Sequence, residues 1–295
     1  LKEHGGAFAF SCSILAGDPF LDPPEVAPAA KANACCEPGG RRNRYETDSR
    51  QAALVVTCRS LLLLHGNGGG GFRFSRCLPF FSPHLSVASP TLPGFWPVPR
   101  VERLTTLADF AEQILPHLQA LERPRALLGT GIGGSLAIEL LQRYPEQVDR
   151  LILHAPVGAH LDRRRFPKLM KAPGVARLAQ GLIGTPILRP FWRRLFFETP
   201  LDEAFVSEFF EGYRHCQVFA QMFDLITHSW WCGLRPVAVP TVILWGGREQ
   251  LLTPDQGSPF AQILPNSRLE ILPHWRHFPM IEQPQQFVSK VEEAL

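Results

Sequence analysis

An excess of one charge sign, long apolar runs and regularly spaced cysteines are all missing from this 295-residue chain. Its 30 Lys and Arg stand against 27 Asp and Glu, a formal net charge of +3. That excess is too small to point to nucleic acid, and no basic tract or RNA-binding signature adds to it. Uninterrupted apolar runs such as Leu61–Leu64 fall far short of the ~20 residues that span a bilayer, so no membrane insertion is expected. The 7 cysteines are odd in number and irregularly placed, and no pair has zinc-ligand spacing. A disulfide framework and a metal site are therefore not expected, and reduced thiols in a cytoplasmic setting are. The vicinal pair Cys35-Cys36 receives no role. Ala7–Gly17 has the flavour of a secretory h-region, but Glu3 offsets Lys2 and the weakly basic flank argues against a signal.

The chain is long enough to bury a sizeable core. Residues 1–42 are rich in Ala, Pro and Gly without a sustained period and read as a flexible N-terminal extension. From Asn43 the pattern changes. Leu61–Leu64 closed by His65-Gly66 suits a strand buried on both faces. Phe72–Phe81 predicts a short helix, Leu85–Leu92 a second strand, and Leu107–Leu121 an amphipathic helix stopped by Arg123-Pro124. Strand and helix then alternate through Ala126–Gly129, Ile132–Tyr144 and Val148–His154. They resume at Thr241–Trp245, Pro254–Leu264, Arg268–Leu272 and Gln285–Leu295.

This order predicts an α/β fold, a mostly parallel central sheet with helices on both faces. Residues 43–158 and 236–295 form the expected core. The intervening 159–235 is helical in character, rich in aromatics, and reads as a cap over the pocket at the strand ends. Its basic clusters, Arg163-Arg164-Arg165 and Arg193-Arg194, read as a solvated helix face.

The segment Arg125–Gly134 has the layout of a nucleophile elbow: an apolar strand, a glycine-rich turn, then a helix. In G-x-S-x-G that turn lifts a serine Oγ into a pocket at the sheet edge. Here the central residue is Gly131, which has no side chain.

Four segments together resemble the α/β-hydrolase superfamily, over about Asn43 to Leu295. They are Leu64-His65-Gly66-Asn67-Gly68-Gly69, Pro90-Thr91-Leu92-Pro93-Gly94-Phe95, the elbow with its helix, and Leu244-Trp245-Gly246 with Glu249 followed by His277-Phe278-Pro279-Met280-Ile281-Glu282-Gln283-Pro284. Thr91 stands where many relatives carry Asp. The resemblance implies an oxyanion hole from the backbone amides of Asn67 and Ile132. It also implies His277 as general base and Glu249 as the carboxylate that orients it. The order of position 131, Glu249 and His277 is that of nucleophile, acid and base in this superfamily.

Glycine removes the attacking atom, so ordinary serine hydrolysis is expected to be impaired. Ser135, one helical turn further on, reads as a packing residue, and Thr130 as the variable neighbour of the nucleophile. His274 is a rival base closer to its strand. Attack by water, or a cofactor-free proton transfer, through His277 and Glu249 is the remaining chemical route. Two functions stay open: an esterase-like protein with altered chemistry, and a catalytically silent ligand-binding or scaffold protein. Either way the expected partner is a small-molecule ligand or substrate, without cofactor.

Overall fold

Leu61 to Leu64 are all fully buried, and with Ser60 they form β1 (Ser60–Leu64). Burial of each such side chain contributes about 1.5–3 kcal/mol. The computed structural model describes residues 58–159, 161 and 165–295. The expected extension, 1–42, and the first part of the expected core, 43–57, lie outside the described residues.

Five more strands follow: β2 (Ser86–Ala88), β3 (Arg125–Thr130), β4 (Arg150–His154), β5 (Thr241–Gly246) and β6 (Ser267–Leu272). They make one sheet in the order β2-β1-β3-β4-β5-β6, and every neighbouring pair is parallel. The inner strands are buried along nearly their whole length, whereas the edge strands β2 and β6 are partly exposed. A parallel sheet needs both faces covered, which explains why the inner strands are continuous apolar runs rather than alternating ones.

Helix α1 (Leu107–Gln119) begins with a capping box in which Thr106 and Asp109 bond reciprocally, satisfying amides that have no intrahelical acceptor. Phe110, Ile114 and Leu118 form its buried face, and it packs against α2 (Ile132–Arg143), whose first seven residues are all buried. Between β4 and β5 run α3 (Arg165–Lys171), α4 (Val175–Gly184), α5 (Arg189–Phe196), α6 (Glu203–His215), α7 (Phe219–Leu225) and α8 (His228–Gly233). Helices α9 (Gly257–Ile263), α10 (Pro279–Glu282) and α11 (Pro284–Glu292) complete the chain.

Two expected elements are shorter than the sequence pattern suggested. The strand expected over Leu85–Leu92 is only Ser86–Ala88, because Pro90 has no N–H to give a ladder. The helix expected over Phe72–Phe81 is two 3-10 turns, Gly71–Phe74 and Leu78–Phe80. Pro79 removes a donor from the second of them. Among the described residues no helix is long and apolar enough to cross a membrane.

Register fixes where the functional loops emerge. Leu64 pairs with Gly129, Thr130 with His154, and His154 with Leu244. The carboxyl ends of β1, β3, β4 and β5 therefore lie along one edge, where open α/β sheets bind ligands.

Candidate active site

The turn between β3 and α2 is held from three directions. Gly131 donates its N–H to the His154 carbonyl at 3.0 Å, and its own carbonyl accepts from Gly134 at 3.0 Å and Val157 at 3.2 Å. Its backbone sits at φ +54°, ψ −119°, a region that disfavours residues with a Cβ. Space does not forbid one: a Cβ built on Gly131 would meet only the Gly66 Cα, at 3.9 Å. Gly133 is different, since its Cβ would lie 2.5 Å from the Leu64 carbonyl oxygen. That close approach presses the start of α2 against the end of β1 and aligns the two loops.

The loop after β1 is pinned by His65. This buried ring faces the Gly66 carbonyl through Nδ1 at 3.0 Å, and its Nε2 accepts from the Leu92 N–H at 3.2 Å. An accepting Nε2 leaves the proton on Nδ1, a neutral tautomer. Burial pushes the His65 pKa down to about 4. The Asn67 side chain is engaged too, donating to the Phe219 carbonyl at 2.9 Å and accepting from the Gly68 N–H at 3.0 Å. Ile132 is the first residue of α2, whose leading amides have no intrahelical carbonyl.

Glu249 and His277 come from the loops after β5 and β6. His277 Nδ1 lies 2.6 Å from Glu249 Oε2. Glu249 Oε1 accepts from the Leu251 N–H at 2.7 Å and the Leu252 N–H at 3.2 Å. Burial works to raise the Glu249 carboxyl, but His277 and those two amides outweigh it and hold the carboxyl below its usual 4.5. An ionised Glu249 only accepts, so the proton of the pair sits on Nδ1, and in the neutral imidazole the lone pair is then on Nε2. Among the described residues Nε2 has no hydrogen-bond partner.

Gly131, Asn67, Ile132 and His277 line one cavity of about 480 Å³, within the range of about 300–1,000 Å³ found for small-molecule sites. Its wall is largely apolar and includes Met170, Ile183, Phe196, Met222 and Phe223 from the helices between β4 and β5. Thr130 also borders it, with its hydroxyl directed to the Leu64 carbonyl at 3.4 Å. Ser135 does not border it; its hydroxyl donates to the Val157 carbonyl at 2.6 Å. His274 is exposed and also off the cavity.

Two polar residues on the wall were not singled out from the sequence. His154, at the end of β4, is buried between Trp275 and Phe287, and among the described residues its Nε2 has no partner. Burial pushes its pKa down to about 3, against the pull of Glu249. Arg73 is only 4% exposed and donates to the Asn67 and Gly68 carbonyls at 3.3 and 3.0 Å. Among the described residues no group of three or more His, Cys, Asp or Glu gathers to hold a metal ion.

A parallel sheet flanked by helices, with an elbow after β3 and a paired carboxylate and imidazole after β5 and β6, defines an α/β-hydrolase fold. The chain belongs to the Alpha/beta hydrolase family, which it matches over residues 61–290. Its curated relatives include esterases. It is 22% identical over 237 residues to the pimeloyl-(acyl-carrier protein) methyl ester esterase of Neisseria meningitidis serogroup B, covering 78% of this chain and 90% of that protein. To the enzyme of the same name from Aromatoleum aromaticum it is 26% identical over 250 residues, covering 80% and 97%. Among solved structures, a membrane phospholipase A, a bacterial virulence factor, superposes with a TM-score of 0.65 at 22% identity, over 79% of this chain and 77% of that one. That likeness speaks to the fold alone.

Proposed function

We propose that this chain binds a small apolar or ester-type molecule in the cavity beside Gly131 and hydrolyses it slowly without a serine. The supporting observation is His277, held by Glu249 at 2.6 Å and bordering the same cavity as the glycine. Glycine offers no oxygen, so no acyl-enzyme forms at position 131. Loss of a triad nucleophile lowers turnover by about 10⁶-fold, and what survives is the work of base, oxyanion donors and binding.

In this reading a water stands where Oγ would be. His277 Nε2 takes its proton as the water oxygen attacks the ester carbon, and Glu249 steadies the imidazolium. The backbone amides of Asn67 and Ile132 hold the developing oxyanion. Collapse breaks the bond to the alkoxide, which takes the proton back from Nε2, leaving a carboxylic acid and an alcohol. Helices α3–α8 act as the cap and select the substrate. The setting is cytoplasmic, in keeping with the reduced thiols of Cys58, Cys77 and Cys216.

The test is ester turnover by the wild type and by His277→Ala. A rate that falls to the buffer background in the variant supports water attack. Equal rates would remove it and leave the second reading, a silent binding or scaffold protein, which the missing Oγ favours.

A further inference from the structure

Among the described residues Arg73 is a buried cation without a counter-ion. Among the described residues its guanidinium bonds only to two backbone carbonyls, its Nε has no partner, and no carboxylate lies in salt-bridge range. Phe209, Tyr213 and Phe278 present ring faces to it at 4.6, 5.0 and 5.2 Å. Ring faces and carbonyls offset only part of the penalty for burying a charge. Arg73 nevertheless borders the cavity, and just one residue separates it from the elbow. A Cβ on Gly66 would stand 4.0 Å from the guanidinium, and one on Gly131 stands 3.9 Å from the Gly66 Cα.

We infer that the elbow end of the cavity is a carboxylate-binding site and that the ligand is an apolar monocarboxylic acid. The inference rests on the reading of the cavity as a small-molecule pocket and names what it holds. A carboxylate has two oxygens to place. One takes the amides of Asn67 and Ile132, at the positive end of α2. The other takes the open space at Gly131, which a serine would fill, and accepts a hydrogen bond from His277 when Nε2 is protonated. Glu249 forms no ion pair with Arg73; its oxygens are engaged by His277, Leu251 and Leu252. Arg73 acts on the anion through its field, which its burial screens less than an exposed cation's would be. The apolar wall accommodates the hydrocarbon part.

The experiment is calorimetric titration of the full chain with octanoate, octanamide and octanol, none of which is an ester. Octanoate is expected to bind at least about tenfold more tightly than the other two, and Arg73→Met to erase that preference. Gly131→Ala, which puts a methyl group in the second oxygen's place, should weaken octanoate and spare octanol. Equal affinity for the three ligands in the wild type would overturn the carboxylate site while leaving the pocket reading intact. No binding by any of them would overturn both. If Arg73→Met does not fold, the wild-type ratio and Gly131→Ala decide, and an octanoate preference unchanged in Gly131→Ala counts against the site.

Discussion

Glu249 and His277, 28 positions apart in sequence, meet at 2.6 Å with the carboxylate wholly buried behind the imidazole. Three donors converge on that carboxylate, His277 and the Leu251 and Leu252 amides. A buried anion is tolerated only when it is satisfied in this way.

Glu249→Gln keeps the shape and removes the charge. It is expected to lower stability by about 1–3 kcal/mol at neutral pH and to abolish any turnover that depends on His277. The folded-state carboxyl is held below 4.5, so its contribution is complete above that value and is lost as pH falls through the folded-state pKa. Urea denaturation of both proteins from pH 7 downward should show the gap closing in acid. A gap that is constant with pH would contradict an ionised Glu249.

Two buried histidines set a second acid limb. The unfolded chain protonates His65 and His154 near 6.5, whereas the folded chain resists until about 4 and about 3. Stability is therefore unaffected above 6.5 and falls as pH drops through that window. His154→Phe keeps an aromatic ring between Trp275 and Phe287 and removes an unsatisfied nitrogen. Its stability should exceed the wild type's by an amount that grows by about 1.4 kcal/mol per pH unit below 6.5. Parallel curves for the two proteins would sink this account.

Gly131→Ser adds an Oγ in space that is already open. Ester turnover is expected to rise by orders of magnitude, and a fluorophosphonate probe should label the variant at position 131. Labelling of the wild type at Ser135 or Thr130 would instead reassign the nucleophile. A folded Gly131→Ser protein with no gain would show that the base and the donors are not in reacting register.

Ala179 on α4 borders the cavity. Ala179→Trp should fill part of that space and weaken ligand binding while the thermal midpoint stays close to that of the wild type. Unchanged affinity for every ligand tested would place binding elsewhere.

The fold was legible because its inner strands are buried on both faces, which writes them as runs such as Leu61–Leu64 and Thr241–Gly246. The elbow was legible from glycines at sites of close approach, Gly133 above all. Glu249 and His277 could be singled out from superfamily order, but their contact depends on two loops whose geometry no local pattern encodes. Arg73 was not legible at all. In Phe-Arg-Phe it reads as an ordinary surface cation, and its burial is made by Phe209, Tyr213 and Phe278, more than a hundred residues further along. His154 was hidden similarly, as a strand-end residue whose neighbours Trp275 and Phe287 come from the far end of the chain.

The left-handed backbone at position 131 joins two properties that are usually assayed apart. Glycine adopts φ +54° without strain, whereas a serine held there by the same three hydrogen bonds costs about 1–3 kcal/mol. The substitution that confers a nucleophile is thus the one that erodes the fold. A population of this protein selected for heat resistance alone would hold on to its glycine, and one selected for turnover would give up thermal margin to lose it.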